Sequence, residues 1–258
     1  MKKFNLSIAI STILCSSLAF AEGEAEAEVP YTPQGTTSSY ITGNVQNHSR
    51  QDFNGSDVTS TIEAGHTFAT GTTVYVEFDG IQLGKTDEEG DDSYYSNSAY
   101  TTIGVDQAFD ITESLWIGGG YQHLLHNGDT IQYRPYAKIG YNFNDGMLKG
   151  VSISNRTRYQ IADGSNKVGD QDNTNDQLRF DNRIAYQFQE MPVQVAYNNV
   201  YYINEADNKS NTFEHEVRAT WTREGVQPYL EYRNQADAAD VNPGANNNVI
   251  VLGASYAF

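Results

Sequence analysis

The chain has 258 residues and a formal net charge of −17 at pH 7, with 33 acidic and 16 basic residues. Such acidity excludes nucleic acid as a partner, because phosphate-binding surfaces are rich in lysine and arginine. The single cysteine, Cys15, lies in an apolar amino-terminal stretch, so the rest of the chain cannot form a disulfide or a cysteine metal site. Low apolar content with 18 tyrosines favours a barrel whose strands place alternate residues in lipid and in water.

The first 21 residues have the organisation of a secretory signal. Two lysines precede an apolar run at residues 6–18, and Ala19-Phe20-Ala21 fits a cleavage site. A transmembrane helix is the alternative, but the run is too short and the acidic residues 22–28 follow it at once. We therefore expect residues 1–21 to be removed on export. Residues 22–39, which are acidic and then rich in Pro, Thr and Ser, are expected to form a flexible periplasmic leader.

From residue 40 to residue 258 the chain falls into about 12 segments of alternating apolar and polar residues. Each segment is long enough to cross a membrane as a tilted strand. In the eighth segment, for example, Phe180 and Ile184 share one face, while Arg179, Asp181 and Arg183 share the other. This period predicts strands with one lipid face and one lumen face.

A soluble β-sandwich also alternates, but three features favour a transmembrane barrel. The gaps between segments are short and long in turn, as periplasmic turns and external loops are. The apolar faces end in aromatic residues that suit an interfacial girdle, namely Phe68, Phe109, Phe143, Phe188 and Trp221. The last strand ends at Phe258, which resembles the carboxy-terminal signal read by the outer-membrane assembly machinery. We predict an all-β fold, a 12-stranded antiparallel transmembrane β-barrel over residues 40–258, in contact with lipid and lipopolysaccharide of the bacterial outer membrane.

The long gaps at residues 84–93, 162–175 and 236–246 are predicted external loops, and both termini are predicted to lie in the periplasm. Two acidic stretches, residues 87–92 and 170–176, invite a calcium interpretation. The second lacks the glycine and the final glutamate of an EF-hand, so solvated loops are the simpler interpretation and divalent-cation binding stays open. No metal site and no other cofactor is predicted.

The predicted inward faces carry most of the basic residues. Arginine offers paired donors that match a carboxylate, so a ladder of arginines suits a chain of uronate or sialate units. The alternative is that the cations merely pair with inward acids and fill a narrow lumen. The basic set is Arg134, Lys138, Arg156, Arg158, Arg179, Arg183, Arg218 and Arg233, and the acidic set is Glu63, Glu77, Asp79, Asp106, Asp181, Glu214 and Glu231.

Inward tyrosines, among them Tyr136 and Tyr229, either present stacking faces to sugar rings or fill space and brace arginines. A barrel enzyme would need a histidine beside a nucleophile and an orienting acid. None of the five histidines lies in such a constellation, and His66 and His123 have no serine two residues further on. We therefore predict no catalytic residue and no enzymatic activity.

Four segments resemble one family of outer-membrane channels. They are YRPYAK at 133–138, LRFDNRIAY at 178–186, VQPYLEYR at 226–233 and VLGASYAF at 251–258. With these segments the layout from Tyr40 to Phe258 resembles the oligogalacturonate-specific porin (KdgM) family, which also includes a sialic-acid channel of enteric bacteria. The resemblance implies a monomeric 12-stranded barrel in which the eight basic residues, with Tyr136 and Tyr229, guide acidic oligosaccharides.

The acidic leader, the acidic loops and the acidic second and third segments depart from that pattern, which leaves pectin, alginate and sialic-acid fragments all open as ligands. The sequence predicts a porin for the uptake of acidic, uronate-type oligosaccharides through an arginine-lined lumen. A weakly selective general or structural barrel is the alternative, and a barrel enzyme is a more distant one.

Overall fold

In a computed structural model, the structure describes residues 37–49, 56–83, 99–164, 167–168, 171–172, 175–205, 210–235 and 246–258. The predicted signal, most of the predicted leader and the acidic residues 87–92 lie outside this part of the chain. Among the described residues, no helix is both long and apolar enough to cross a membrane.

Twelve antiparallel strands form one closed barrel, in which each strand pairs with its neighbours in the chain and the last pairs with the first. This confirms the predicted fold class. The strands are β1 (Ser38–His48), β2 (Val58–Thr67), β3 (Thr72–Gln82), β4 (Tyr100–Asp110), β5 (Leu115–His126), β6 (Asp129–Asn142), β7 (Val151–Ala162), β8 (Gln177–Gln187), β9 (Val193–Asn204), β10 (Thr212–Trp221), β11 (Gln227–Gln235) and β12 (Asn247–Ala257). The barrel begins at Ser38, two residues before the predicted start.

Burial alternates along the strands with the predicted period. On β10 every second residue from Thr212 to Thr220 is buried, and the residues between them, including Phe213 and Val217, are exposed. A closed barrel with polar residues inside and apolar residues outside inverts the pattern of a soluble protein, because lipid covers the outer face. The apolar side chains exposed on the other strands, such as Ile103 and Leu252, belong to that outer face.

The strand ends form two distinct rims. Because neighbouring strands are antiparallel, all even-numbered strands end at the same rim. Within one residue of its end each of them carries an outward aromatic residue, namely Phe68, Phe109, Phe143, Phe188, Trp221 and Phe258. This ring matches the predicted interfacial girdle. We call it the aromatic rim.

Short connections join the strands at the aromatic rim, and β1 begins there beside the end of β12. The backbone N–H of Ser39 donates to the carbonyl of Phe258 at 2.8 Å, and the return bond is 2.9 Å. At the opposite rim most connections are longer, as predicted, although the β9–β10 connection (residues 205–211) is no longer than the β6–β7 connection (residues 143–150) at the aromatic rim. Also at the opposite rim, β5 and β6 join through Asn127 and Gly128. Both residues have positive φ, at 54° and 89°, as a tight hairpin turn requires.

The pairing register shifts at two places in the barrel, between Ser60 and Ile62 on β2 and between Leu124 and Leu125 on β5. Thr130 pairs with Leu125 and Gln132 pairs with Leu124, so Ile131 is an extra residue in β6. Such a β-bulge redirects its side chain, and Ile131, which the period places outward, is buried instead. Within the predicted loop at residues 162–175, Lys167–Val168 pairs with Gln171–Asp172 as a short hairpin. The sequence between these two strands reads Gly-Asp, a dipeptide typical of hairpin turns, which is a signal that the loop prediction overlooked.

Five inward aromatic rings lie directly across from glycines on a neighbouring strand. The ring of Tyr75 covers Gly104 so closely that a Cβ at Gly104 would overlap it. A glycine is needed wherever a ring lies flat on the neighbouring backbone. The pairs are Tyr40 and Gly65, Tyr75 and Gly104, Trp116 and Gly140, Tyr136 and Gly120, and Tyr229 and Gly253.

Candidate functional site: the lumen wall

All eight predicted basic residues lie on inward faces and are buried. They occur on β6, β7, β8, β10 and β11 at the positions that the alternation assigns to the lumen. Buried charges in proteins are accompanied by opposite charges or hydrogen bonds. Seven carboxylates are buried with them, namely Glu63, Glu77, Asp106, Asp181, Glu214, Glu216 and Glu231.

The two signs of charge are unevenly distributed around the barrel. The inward face of β6–β8, which we call the basic wall, carries six cationic side chains and one buried carboxylate, Asp181. The inward face of β2–β4, which we call the acidic wall, carries Glu63, Glu77, Asp79 and Asp106. The sequences of β2–β4 contain no lysine or arginine. The neutral strand β5 separates the two walls, so the prevailing sign of the charged side chains changes across one side of the lumen.

Asp181 lies between two arginines of the basic wall. Arg156 is directly opposite on β7, and its Nε donates to Asp181 Oδ2 at 2.8 Å. Arg179, two residues away on β8, donates through Nε to the other oxygen, Oδ1, at 2.6 Å. The Arg179 guanidinium also lies 5.1 Å from the centre of the Tyr202 ring, which provides a cation–π contact. We call these four residues the Asp181 cluster.

The same arrangement occurs on β10 and β11. Arg218 lies directly opposite Glu231, and Arg233 lies two residues from it on the same strand. Each arginine donates through Nε to a different oxygen of Glu231. The Arg218 guanidinium lies 4.1 Å from the centre of the Tyr229 ring. We call Arg218, Glu231, Arg233 and Tyr229 the Glu231 cluster.

Three other arginines bind glutamine side chains. Their nitrogen atoms donate to amide oxygens, which are neutral acceptors. The bonds are Arg134 Nε to Gln132 at 2.7 Å, Arg158 Nη1 to Gln122 at 2.8 Å and Arg183 Nη2 to Gln194 at 3.4 Å. Sequence analysis did not predict these glutamines, although their inward positions on alternating strands were a usable signal.

Lys138 pairs with the acidic wall, because its Nζ lies 2.8 Å from Asp106 Oδ2. The Tyr136 hydroxyl donates to the same oxygen at 2.8 Å. Tyr136 and Tyr229 are both buried, and each ring covers a glycine. The Tyr229 hydroxyl also accepts from Asn44 Nδ2 at 3.3 Å. Bracing of neighbouring side chains, one of the two predicted roles for the inward tyrosines, is therefore what these contacts provide.

Like charges face one another within each wall. Arg158 is directly opposite Arg179, and Lys138 is directly opposite Arg156. On the acidic wall Glu63 is directly opposite Glu77. Side chains in such pairs lie about 5 Å apart at Cβ and repel when both are charged. Part of that repulsion on the basic wall is offset by Asp181.

Sequence analysis missed Glu216, which is opposite Arg233 and accepts a hydrogen bond from Asn198 at 3.0 Å. Its inward position follows from the alternation of β10, where it lies between Glu214 and Arg218. With Glu216 included, the buried carboxylates nearly balance the buried cations. The buried charges of the whole barrel therefore nearly cancel, and the two walls differ in where the charges of each sign lie around the barrel.

The contacts of His48, His66 and His215 are with hydroxyl groups, amide groups and aromatic rings. On the outer face His66 Nδ1 lies 2.8 Å from Ser39 Oγ, a contact that sequence analysis did not foresee. The other contact of the His66 ring is with the edge of Phe68, so no carboxylate of the described residues orients it. His215 contacts Tyr197 and Asn199, and His48 contacts Thr59 and Asn247. Among the described residues no group of three His, Cys, Asp or Glu side chains could hold a metal ion.

Comparison with known proteins agrees with the resemblance in the sequence. The family model for the oligogalacturonate-specific porin protein (KdgM) matches residues 37–258. Among solved structures, the NanC porin aligns with a TM-score of 0.62 at 15% identity, covering 84% of this chain and 98% of that one. The KdgM porin aligns with a TM-score of 0.58 at 16% identity, covering 85% and 99%. At such low identity these two structures support the fold alone. No curated protein sequence matches the chain.

Proposed function

This chain belongs to the oligogalacturonate-specific porin (KdgM) family, and on that premise we propose that it passes acidic oligosaccharides across the outer membrane along its basic wall. Family and fold make it a porin of the bacterial outer membrane, and they favour a channel over an enzyme. The proposal concerns what the channel selects. Its ligands are carbohydrates with one carboxylate per unit, of the uronate type.

The observation that supports this selectivity is the concentration of six cationic side chains on three neighbouring strands with one buried carboxylate among them. Arg158 and Arg179 face each other there, and Lys138 faces Arg156. A sugar carboxylate moving along this wall meets another guanidinium or ammonium group within a few ångströms. Charge in a hydrated lumen is screened over about 8 Å at physiological salt, so each step depends on the nearest cations.

A 12-stranded barrel is suited to guiding a single chain. Barrels of about 8 strands are filled by their own side chains, whereas porins of about 16 to 18 strands leave a wide aqueous channel. In a lumen of intermediate width, a linear oligosaccharide passes close to the wall. Conduction then requires that each carboxylate bind weakly enough to move on to the next site.

A second candidate is a weakly selective barrel, and the ion pairs favour it. Asp106, Asp181 and Glu231 each bind cations that the first proposal assigns to the ligand pathway. If these pairs persist during conduction, the lumen offers little net attraction for anions. The two candidates differ in whether acidic sugars pass faster than neutral sugars of equal size.

The test replaces Arg134, Arg158 and Arg183 together by glutamine, because each of them donates to a glutamine amide and both carboxylate-centred clusters stay complete. Uptake of trigalacturonate and of maltotriose is measured in liposomes at equal amounts of folded protein. We expect the ratio of acidic to neutral uptake to fall by about tenfold, the equivalent of one lost hydrogen bond to a charged group. The reversal potential in a salt gradient should move away from anion preference.

The matched control replaces Glu63 and Glu77 by glutamine on the acidic wall. We expect it to move the reversal potential in the opposite direction without reducing trigalacturonate uptake. Equal loss of both sugars in the arginine variant, or no discrimination by the unmodified channel, would favour the weakly selective barrel.

We also propose that the aromatic rim faces the periplasm, so that both barrel ends lie there and the longer connections lie outside. Ser210 is exposed at the opposite rim, and Met147 is exposed at the aromatic rim. In intact cells an impermeant thiol reagent should label Ser210→Cys but not Met147→Cys, with Cys15 changed to alanine in both. Labelling of Met147→Cys alone would reverse the topology.

A further inference from the structure

We propose that Asp181 and Glu231 are positioning and specificity-determining residues. They hold pairs of arginines in place and weaken the binding of a ligand carboxylate to these arginines. This inference rests on the proposed function, since it concerns how the arginines release an acidic ligand. In sequence analysis both acids were considered only as groups that neutralise charge in the lumen. The geometry gives them a more specific role.

The arrangement of one carboxylate between two arginines occurs twice with the same register. In each cluster one arginine is directly opposite the acid on the neighbouring strand, and the second is two residues from the acid on its own strand. In both, the two arginines use Nε, and each takes a different carboxylate oxygen. One carboxylate thereby fixes two long side chains on two strands.

The directions of β8 and β11 give the two clusters the same orientation in the barrel. β8 and β11 are three antiparallel steps apart, so they run in opposite directions. Arg179 precedes Asp181 along β8, whereas Arg233 follows Glu231 along β11. In both clusters the second arginine therefore lies on the side of the acid that faces the rim opposite the aromatic rim. The two clusters share one polarity along the barrel.

Asp181 and Glu231 compete with a ligand carboxylate for the same arginines. An arginine presents five N–H donors, and a carboxylate bound at Nε occupies one edge of the guanidinium group. A ligand carboxylate that reaches the Asp181 cluster meets two guanidinium groups and one carboxylate, which together carry one net positive charge. At the Glu231 cluster, Glu216 lies directly opposite Arg233 and adds a second carboxylate. Asp181 and Glu231 thus act as permanent competitors for the ligand. Without them the arginines would bind an acidic sugar more tightly and release it more slowly.

The experiment compares Asp181→Asn with Asp106→Asn in liposomes containing equal amounts of folded channel. Both variants remove one lumen carboxylate, but Asp106 binds the ammonium group of Lys138 and the Tyr136 hydroxyl and no guanidinium. For trigalacturonate, Asp181→Asn should lower the half-saturation concentration about tenfold and lower the maximal rate, since one charge-assisted competitor is lost. Asp106→Asn should shift the small-ion reversal potential similarly but change the half-saturation concentration far less.

Maltotriose distinguishes positioning from a general effect on the pore, because it carries no charge. Its transport should be the same in both variants. Equal changes for maltotriose and trigalacturonate, or equal half-saturation concentrations in the two variants, would overturn the inference. If the unmodified channel does not discriminate between the sugars, the proposed function fails, whatever the variants do.

Loss of Asp181 leaves two guanidinium groups together, which can impair folding. Asp181→Asn is therefore also made in the Arg156→Gln background, where only Arg179 of the original pair remains. The proposal expects a tightening for trigalacturonate there too, relative to Arg156→Gln alone. Glu231→Gln repeats the test in the second cluster. A cluster in which the substitution leaves the half-saturation concentration unchanged contradicts the inference.

Discussion

The basic wall and the acidic wall are built from the same kind of strand, yet they hold their buried charges in different ways. On the basic wall a carboxylate bridges two arginines, and glutamines bind others. On the acidic wall Lys138 binds Asp106, whereas hydroxyl groups bind two other carboxylates, because Tyr40 donates to Glu63 at 2.6 Å and Thr61 donates to Asp79 at 2.6 Å. An ion pair neutralises a charged side chain with an opposite charge, whereas a hydroxyl group binds a carboxylate and leaves its negative charge in place.

The comparison suggests that the two walls differ in what stabilises them. A buried ion pair is costly to form and more costly to break, because removal of one partner leaves an uncompensated charge. On the acidic wall Glu63 and Asp79 accept hydrogen bonds from neutral hydroxyl groups, and the rings of Tyr40 and Tyr75 pack over glycines of β2 and β4. The following variants test this difference in order of expected effect.

The largest effect is expected for Glu231→Gln, which removes the shared partner of Arg218 and Arg233. Two buried guanidinium groups then lose their carboxylate, and we expect the free energy of unfolding to fall by about 3–5 kcal/mol. Urea unfolding in lipid vesicles, followed by tryptophan fluorescence, measures the change. A loss below about 1 kcal/mol would mean that water or another group replaces the carboxylate readily.

An intermediate effect is expected for Gly104→Ala on the acidic wall. A Cβ there overlaps the ring of Tyr75, so the ring must move, at a cost of about 1–3 kcal/mol. Gly43→Ala is the control, because its Cβ would lie 3.7 Å from the nearest atom, the carbonyl oxygen of Thr61. Similar unfolding midpoints for the two variants would show that the ring adapts and that packing does not hold this wall.

The smallest effect, with opposite sign, is expected for Glu77→Gln. This carboxylate faces Glu63, and neutralising one member of a like-charged cross-strand pair should raise the free energy of unfolding by about 0.2–1 kcal/mol. The gain should shrink when Glu63 is also replaced by glutamine. A clear loss of stability in the single variant would contradict the picture of an acidic wall under repulsion.

The alternation of residues was enough to predict the strands and the inward positions of all eight basic residues, and the lengths of the gaps then favoured a barrel over a sandwich. The physical reason is that successive side chains of a strand point to opposite faces, so period alone sorts residues between lipid and lumen. Aromatic residues at the strand ends predicted the interfacial girdle that forms the aromatic rim. Ile131 escaped the prediction because a bulge depends on how two strands pair, which the pattern within one strand does not record.

Pairing between strands was decided only by the tertiary structure. Arg156, which sequence analysis placed in the same ladder of arginines as Arg179, is directly opposite Asp181, while Arg179 is directly opposite Arg158. The ring of Tyr75 packs on Gly104, which is 29 positions further along the sequence and on another strand. Register is set by turn lengths, bulges and closure of the sheet, and a shift of two residues would keep every side chain on its face while changing every partner. The sequence therefore determined which residues enter the lumen, and the closed barrel determined which of them neutralise, brace or repel one another.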